Sequence, residues 1–197
     1  TSLSLSCAVL GVADGDMERD YYYSSARDHA DLETAENIGV KAATRALQRL
    51  GARKIKTTRA PVLFTPELAR GFMGHAIGAL SGSAQYRRSS FLLDAVGEKI
   101  FPEFINIEER PHIPKGLASA PYDGEGVATY DRDIVADGVL AGYVLSSYSA
   151  RRLGLQTTAN AGGAQNLIVP GNSGGMEELI KELGTGLIVE ELIGQGV

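Results

Sequence analysis

The sequence predicts an α+β fold of mixed and antiparallel sheets, in which hairpins pack with helices. Two observations carry that expectation. Strand-like segments come in pairs around Asp-Gly turns, at Asp14-Gly15 and at Asp137-Gly138. Segments with helical apolar spacing interrupt them at irregular intervals, which disfavours a wound parallel sheet.

The elements follow in order. Ser2 to Val12 alternates, with Leu3, Leu5, Cys7 and Val9 on one face and serines on the other, which reads as a half-buried strand. Ala13-Asp14-Gly15-Asp16 is the turn, and Met17 to Ser25 returns as a strand carrying Tyr21, Tyr22 and Tyr23. A tyrosine run can stack bases, but no basic residues surround this one, so cross-strand packing is expected. Thr34 can cap a helix that reaches Leu50, with Ile38, Ala42, Ala46 (or Leu47) and Leu50 as its apolar stripe and Gly51 as its stop. Pro61 to Thr65 reads as a buried strand and Pro66 to about Arg87 as one helix.

Phe104 to Ile107 reads as a short strand, and Val127–Val135 with Val139–Ser146 as a hairpin. Ser147 to Leu153 is a short helix, Thr157 to Gly163 a flexible loop, Met176 to Leu183 a helix and Thr185 to Leu192 a final strand. A domain boundary is expected near Thr57–Pro61, dividing 1–58 from 59–197. No internal repeat or coiled coil is found.

Composition narrows the function classes. The net charge of −5 and pI of about 5.3 give nonspecific nucleic-acid binding no electrostatic basis. The basic run Arg53 to Arg59 reads as a solvated loop and strand edge. No apolar stretch approaches the roughly 18–20 residues that span a bilayer. A lone cysteine, Cys7, excludes an internal disulfide framework and fits a reducing cytoplasm. The chain opens on a strand without methionine and stops after one, so it reads as a fragment.

Candidate chemistry centres on Gly71-Phe72-Met73-Gly74-His75-Ala76-Ile77-Gly78-Ala79-Leu80-Ser81-Gly82, an apolar helix with one histidine. Gly71, Gly74, Gly78 and Gly82 recur at helical spacing. Each costs a helix roughly 0.5–1 kcal/mol relative to alanine, so close approach is expected, by a helix of the same core or by a partner subunit. The three histidines, His29, His75 and His112, form no pair at metal-ligand spacing. His29 reads as solvated, His112 as a turn residue, and His75 as a packed, hydrogen-bonded core or interface residue or one that faces a partner's active site. Asp123-Gly124-Glu125-Gly126 offers two carboxylates for acid–base work, or a turn. Ser81, Ser146 and Ser149 are available nucleophiles without a nucleophile elbow, and Cys7 has no evident base. Gly171-Asn172-Ser173-Gly174-Gly175 reads as a plain helix entry, not a phosphate loop.

The helix motif, together with Gly15-Asp16-Met17-Glu18-Arg19-Asp20, Phe91-Leu92-Leu93-Asp94, Lys115-Gly116-Leu117-Ala118-Ser119 and Ser147-Tyr148-Ser149-Ala150-Arg151, resembles the TldD/PmbA family of proteases along the whole chain. That family is also labelled modulators of DNA gyrase. The resemblance implies that 1–58 ends the family's middle region and 59–197 begins its C-terminal domain. Active TldD-type subunits carry His-Glu-Ala-Val-Gly-His at this helix, whose imidazoles hold a zinc that lowers the pKa of its water from about 15.7 to about 7. Here Gly74 and Ala79 fall on the ligand positions and His75 on the glutamate position.

The resemblance therefore implies a PmbA/TldE-type subunit with no catalytic residue and no metal of its own, and zinc in a TldD-type partner. It implies unfolded peptides as substrates, microcin precursors and antitoxins among them, no nucleic acid, no membrane, and a homodimer as an option for the isolated chain. Asn160, Gly162 and Gly163 are candidates to face the substrate chamber or partner. They lie where TldD-type chains carry Gly-Asn-Gly-Arg-Arg, and the arginines of a carboxylate clamp are missing here. The other reading the resemblance offers is a non-enzymatic regulator of DNA gyrase.

Overall fold

The first two strands, β1 (Leu3–Ala13) and β2 (Asp16–Ala26), pair antiparallel in the register Leu3↔Ala26 to Ala13↔Asp16. A computed structural model describes residues 2–171 and 174–192 of the chain. Asp14 and Gly15 turn the hairpin with φ of 52° and 84°, as a tight two-residue turn between twisted strands requires. Helix α1 (Ala35–Arg49) lies on one face of it. Thr34 caps α1 by accepting a hydrogen bond from the Asn37 N–H (3.3 Å). Ile38, Ala42 and Ala46 are buried, whereas Leu47 is exposed, so the stripe runs through Ala46.

The face of the hairpin toward α1 also carries polar anchors. Asp20 accepts from Arg49 (2.6 Å), and Tyr22 donates to Glu33 (2.7 Å) beneath Lys41 and Arg45. The tyrosines stand across the ladder from the first strand, as expected, with small partners. Tyr21, Tyr22 and Tyr23 stand opposite Ala8, Cys7 and Ser6, and Tyr21 also stacks along its own strand on Tyr23 (6.4 Å). Leu3 and Leu5 of the expected buried face are 41% and 39% exposed, because α1 covers only the Cys7–Gly11 part of it. By its contacts the chain divides into residues 1–57 with 114–117, and residues 58–113 with 118–197.

In the second unit, β3 (Val62–Phe64) pairs parallel with β8 (Leu187–Val189). This is a two-stranded sheet, so β3 is not the buried strand expected: Val62 and Phe64 are exposed. A four-stranded sheet runs β6 (Val139–Leu140), β5 (Arg132–Ala136), β4 (Ile107–Glu109), β7 (Leu167–Ile168), antiparallel throughout. Its core holds Ile107, Ile134, Val135, Leu140 and Leu145, closed by Leu80.

Four boundaries differ from expectation, the first being β8, which covers only Leu187–Val189 of the expected Thr185–Leu192. The long helix is two, α2 (Pro66–Leu80) and α3 (Gly82–Tyr86), because Ser81 is extended and caps α3 by accepting from the Ala84 N–H. The second hairpin is shorter than expected, since Val127–Asp131 is not strand and Ala141–Ser146 leaves the ladder. That latter segment instead buries Tyr143, Val144 and Leu145, and Val144 bridges Ser81. The strand expected at Phe104–Ile107 starts at Ile107, with Phe104 exposed in the preceding turn. Helices α4 (Ser147–Leu153) and α5 (Met176–Leu183) match. Asn172, Ser173 and 193–197, part of the expected helix entry and the chain end, lie outside the described residues.

Candidate functional site

Helix α2 is held by its apolar side. Leu80 is fully buried, with Met73 and Ile77 packed against the same core. The opposite face presents Gly74, His75 and Gly78 to solvent. A Cβ at Gly71, Gly74 or Gly78 would meet nothing within 4 Å, so these glycines are not the site of close approach within this unit. Only Gly82 is: a Cβ there would strike Ser149 of α4.

His75 is therefore not a packed, hydrogen-bonded core histidine of this unit. It is exposed, makes no hydrogen bond among the described residues, and lines a cleft of about 250 Å³ with Phe72, Met73, Ala76, Phe91, Leu92, Ile100 and Phe101. The imidazole is the one ionisable group on that apolar wall. Asn160, Gly162 and Gly163 do not line it.

Those three belong to a loop anchored by a buried knot that sequence reasoning missed. Glu109, 1% exposed, accepts from Arg132 Nε (2.7 Å), from Asn160 Nδ2 (2.7 Å) and from the Gln165 N–H (2.7 Å). Arg132 also donates to the Tyr143 carbonyl (3.0 Å) and to Asn160 Oδ1 (2.9 Å). Asn160 is buried, so its amide shapes the loop and does not face a chamber within this unit. The loop is thus tied at Asn160 and Ala161 by hydrogen bonds. Gly162 and Gly163 are exposed at φ of 101° and 115°, a backbone that side chains rarely adopt. No spacing rule flags Glu109 and Arg132; the cue is a double acid, Glu108-Glu109, directly after Ile107.

The Asp-Gly-Glu-Gly carboxylates form turns and anchors. Asp123 accepts from the N–H groups of Glu125 (2.9 Å), Val127 (2.9 Å) and Ala161 (3.0 Å). Burial pushes its carboxyl up, but the N–H groups of Ala161, Val127, Glu125 and Gly126 outweigh that and hold it below the ordinary 3.8. A carboxyl depressed by folding adds stability that is fully present above its unfolded value and is lost as pH falls through it toward the folded value. Asp123→Asn should therefore cost stability at neutral pH, and the gap from the parent should shrink below about pH 4. Chemical denaturation at several pH values checks this; a gap that does not shrink refutes the role. Glu125 accepts from the Ser147 N–H (2.8 Å) at the start of α4.

The serines cap helices. Ser146 and Ser149 form a reciprocal capping box, Ser81 caps α3, and none bonds an imidazole. His29 is exposed beside Asp28, and His112 meets Thr129 Oγ1 (3.0 Å). Gly74 and Ala79 have no side-chain atom that could bind a metal. Among the described residues no three His, Cys, Asp or Glu side chains gather as a metal would need, and His75 stands without a second ligand. The residues present do not fit a zinc at this helix.

Residues 57–197 match the model of the PmbA/TldA metallopeptidase C-terminal domain. The chain belongs to the PmbA/TldD metallopeptidase family. The metalloprotease PmbA of Escherichia coli O157:H7 is 51% identical over all of this chain and 44% of its own length. The PmbA homolog of Haemophilus influenzae is 42% identical over 98% of this chain and 43% of its own. The chain thus spans less than half the length of these PmbA relatives. A Bacteroides thetaiotaomicron protein described as a candidate modulator of DNA gyrase superposes with a TM-score of 0.90, at 29% identity, over 98% of this chain and 44% of that one. TldE from Thermococcus kodakarensis shares the fold, with a TM-score of 0.82 at 24% identity over 100% of this chain and 46% of that one. PmbA/TldD membership thus rests on relatives that cover the whole chain, and on a family model that covers the second unit. No helix among the described residues is long and apolar enough to cross a membrane.

Proposed function

We propose that this chain is part of a non-catalytic PmbA/TldE-type subunit of a TldD–TldE zinc metalloprotease that degrades or processes unstructured peptides in the cytoplasm. The observation that carries the reading is α2. It keeps the apolar face that docks it, while Gly74 and Ala79 stand at the positions of the expected ligands and supply no donor. In this reading zinc and its activated water belong to the TldD-type partner. This chain shapes the wall opposite, where His75 and the apolar cleft are exposed.

The test is zinc content and peptidase activity of the full-length protein, alone and mixed with a TldD-type subunit. Metal and cleavage are expected only in the mixture. Stoichiometric zinc and cleavage by this protein alone would sink the proposal. The description of the Bacteroides neighbour favours a second reading, a regulator of DNA gyrase. Altered gyrase supercoiling by the pure protein, with an inactive mixture, would select it.

A further inference from the structure

Helices α3 and α4 meet at Gly82, where Ser149 leaves no room for an added Cβ. That close joint brings an aromatic and basic face together. Tyr86 ends α3, and Tyr148 of α4 meets it edge-on, with centroids 5.8 Å apart and planes at 83°. The guanidinium groups of Arg87 and Arg152 lie 5.7 and 5.8 Å from the Tyr86 centroid. Arg151 and Arg152 are three and four residues beyond Tyr148, so they share its side of the short helix. All three arginines are exposed, and Tyr148 is 54% exposed.

The charges here lack carboxylate partners among the described residues. Elsewhere Arg49, Arg110 and Arg132 each hold a carboxylate within 3.0 Å. Arg87, Arg151 and Arg152 have none among the described residues, although acids outnumber bases along the chain, 24 to 19. A guanidinium stacked on a ring is already oriented and keeps its N–H edge open, which suits a planar carboxylate.

We propose that the α3–α4 face docks an acidic stretch of polypeptide. Carboxylates sit on the open edges of Arg87, Arg151 and Arg152, and a neighbouring apolar side chain lies on Tyr148. Charge complementarity selects an acid, and the net charge of −5 disfavours a long nucleic-acid polyanion. The inference needs neither zinc nor a TldD-type partner, so it stands or falls apart from the protease reading.

The test is fluorescence anisotropy of a labelled Glu/Asp-rich peptide with the full-length protein, beside the same peptide in Gln/Asn form. The acidic peptide should bind and the amide form should not, and salt should weaken the binding. The double variant Arg87→Ala, Arg152→Ala should weaken it about tenfold or more. Arg151→Glu, on an exposed position, should do the same with an unchanged melting profile. Arg53→Ala with Lys54→Ala, in the separate basic run, should leave it unchanged. Equal binding of the amide peptide, or patch variants that bind like the parent, would overturn the proposal. Tighter, patch-dependent binding of single-stranded DNA of equal charge would overturn it too.

Discussion

Replacing Arg132 by alanine is expected to cost about 3–5 kcal/mol of stability, the loss typical when one partner of a buried ion pair is removed. Glu109 would remain 1% exposed with its charge uncompensated, and the Asn160 amide would lose a donor. The thermal and denaturant midpoints should both fall. A partly exposed cluster gives the contrast. Arg110 reaches Glu108 (3.0 Å) and Asp133 (2.8 Å), whose side chains are 29% and 50% exposed. Arg110→Ala should cost about 1 kcal/mol or less through those charges. The double variant Glu109→Leu, Arg132→Met should lose less than the sum of its single changes, because neither charge is left alone. Loss of less than about 1 kcal/mol in Arg132→Ala would show that the knot is not what holds the loop.

The second large effect is expected at Gly138. Its φ of 77° is unfavourable for alanine, and an added Cβ would meet the Phe101 carbonyl oxygen and lie 2.7 Å from that of Pro102. Both obstacles are backbone. The segment is also held in place: the Gly138 N–H donates to Ile105 O (3.0 Å), and its carbonyl accepts from Ile100 (2.9 Å) and Phe101 (3.0 Å). Strain and overpacking together should make Gly138→Ala cost about 3 kcal/mol or more. Gly15 isolates the backbone share, since its φ is 84° but its surroundings are open. Gly15→Ala should cost only about 1 kcal/mol. Equal losses at the two turns would remove the steric argument.

What could be read from the sequence divides along the same physical line. The first hairpin and α1 follow from local signals, alternation around Asp14-Gly15 and the Thr34 cap, and α4 and α5 stand where the sequence places them. Features set by distant partners were not legible. Ser81 looks helical by its neighbours, but it bridges Val144 and caps α3. The two-residue β7 exists only because Glu108 and Glu109 pair with it. Tyr143-Val144-Leu145 reads as strand and instead fills the core outside the ladder. At the site, the resemblance supplied the register of Gly74, His75 and Ala79. Whether His75 is covered depends on what packs beside α2, which no spacing along that helix encodes. Asn160 was legible as a residue of interest and its setting was not, since Glu109 and Arg132 lie 51 and 28 positions away.

Those separations bear on what the loop depends on. The Glu109 carboxylate joins groups 23, 51 and 56 residues distant, and each closure restricts the chain before any hydrogen bond compensates. The glycine loop has too little local apolar surface to settle by itself. Its hydrogen bonds need β4 and β5 paired, because that pairing brings Arg132 beside Glu109. The knot therefore makes the geometry of the Asn160–Gly163 loop a readout of the sheet beneath it: the loop is shaped only where the sheet is complete.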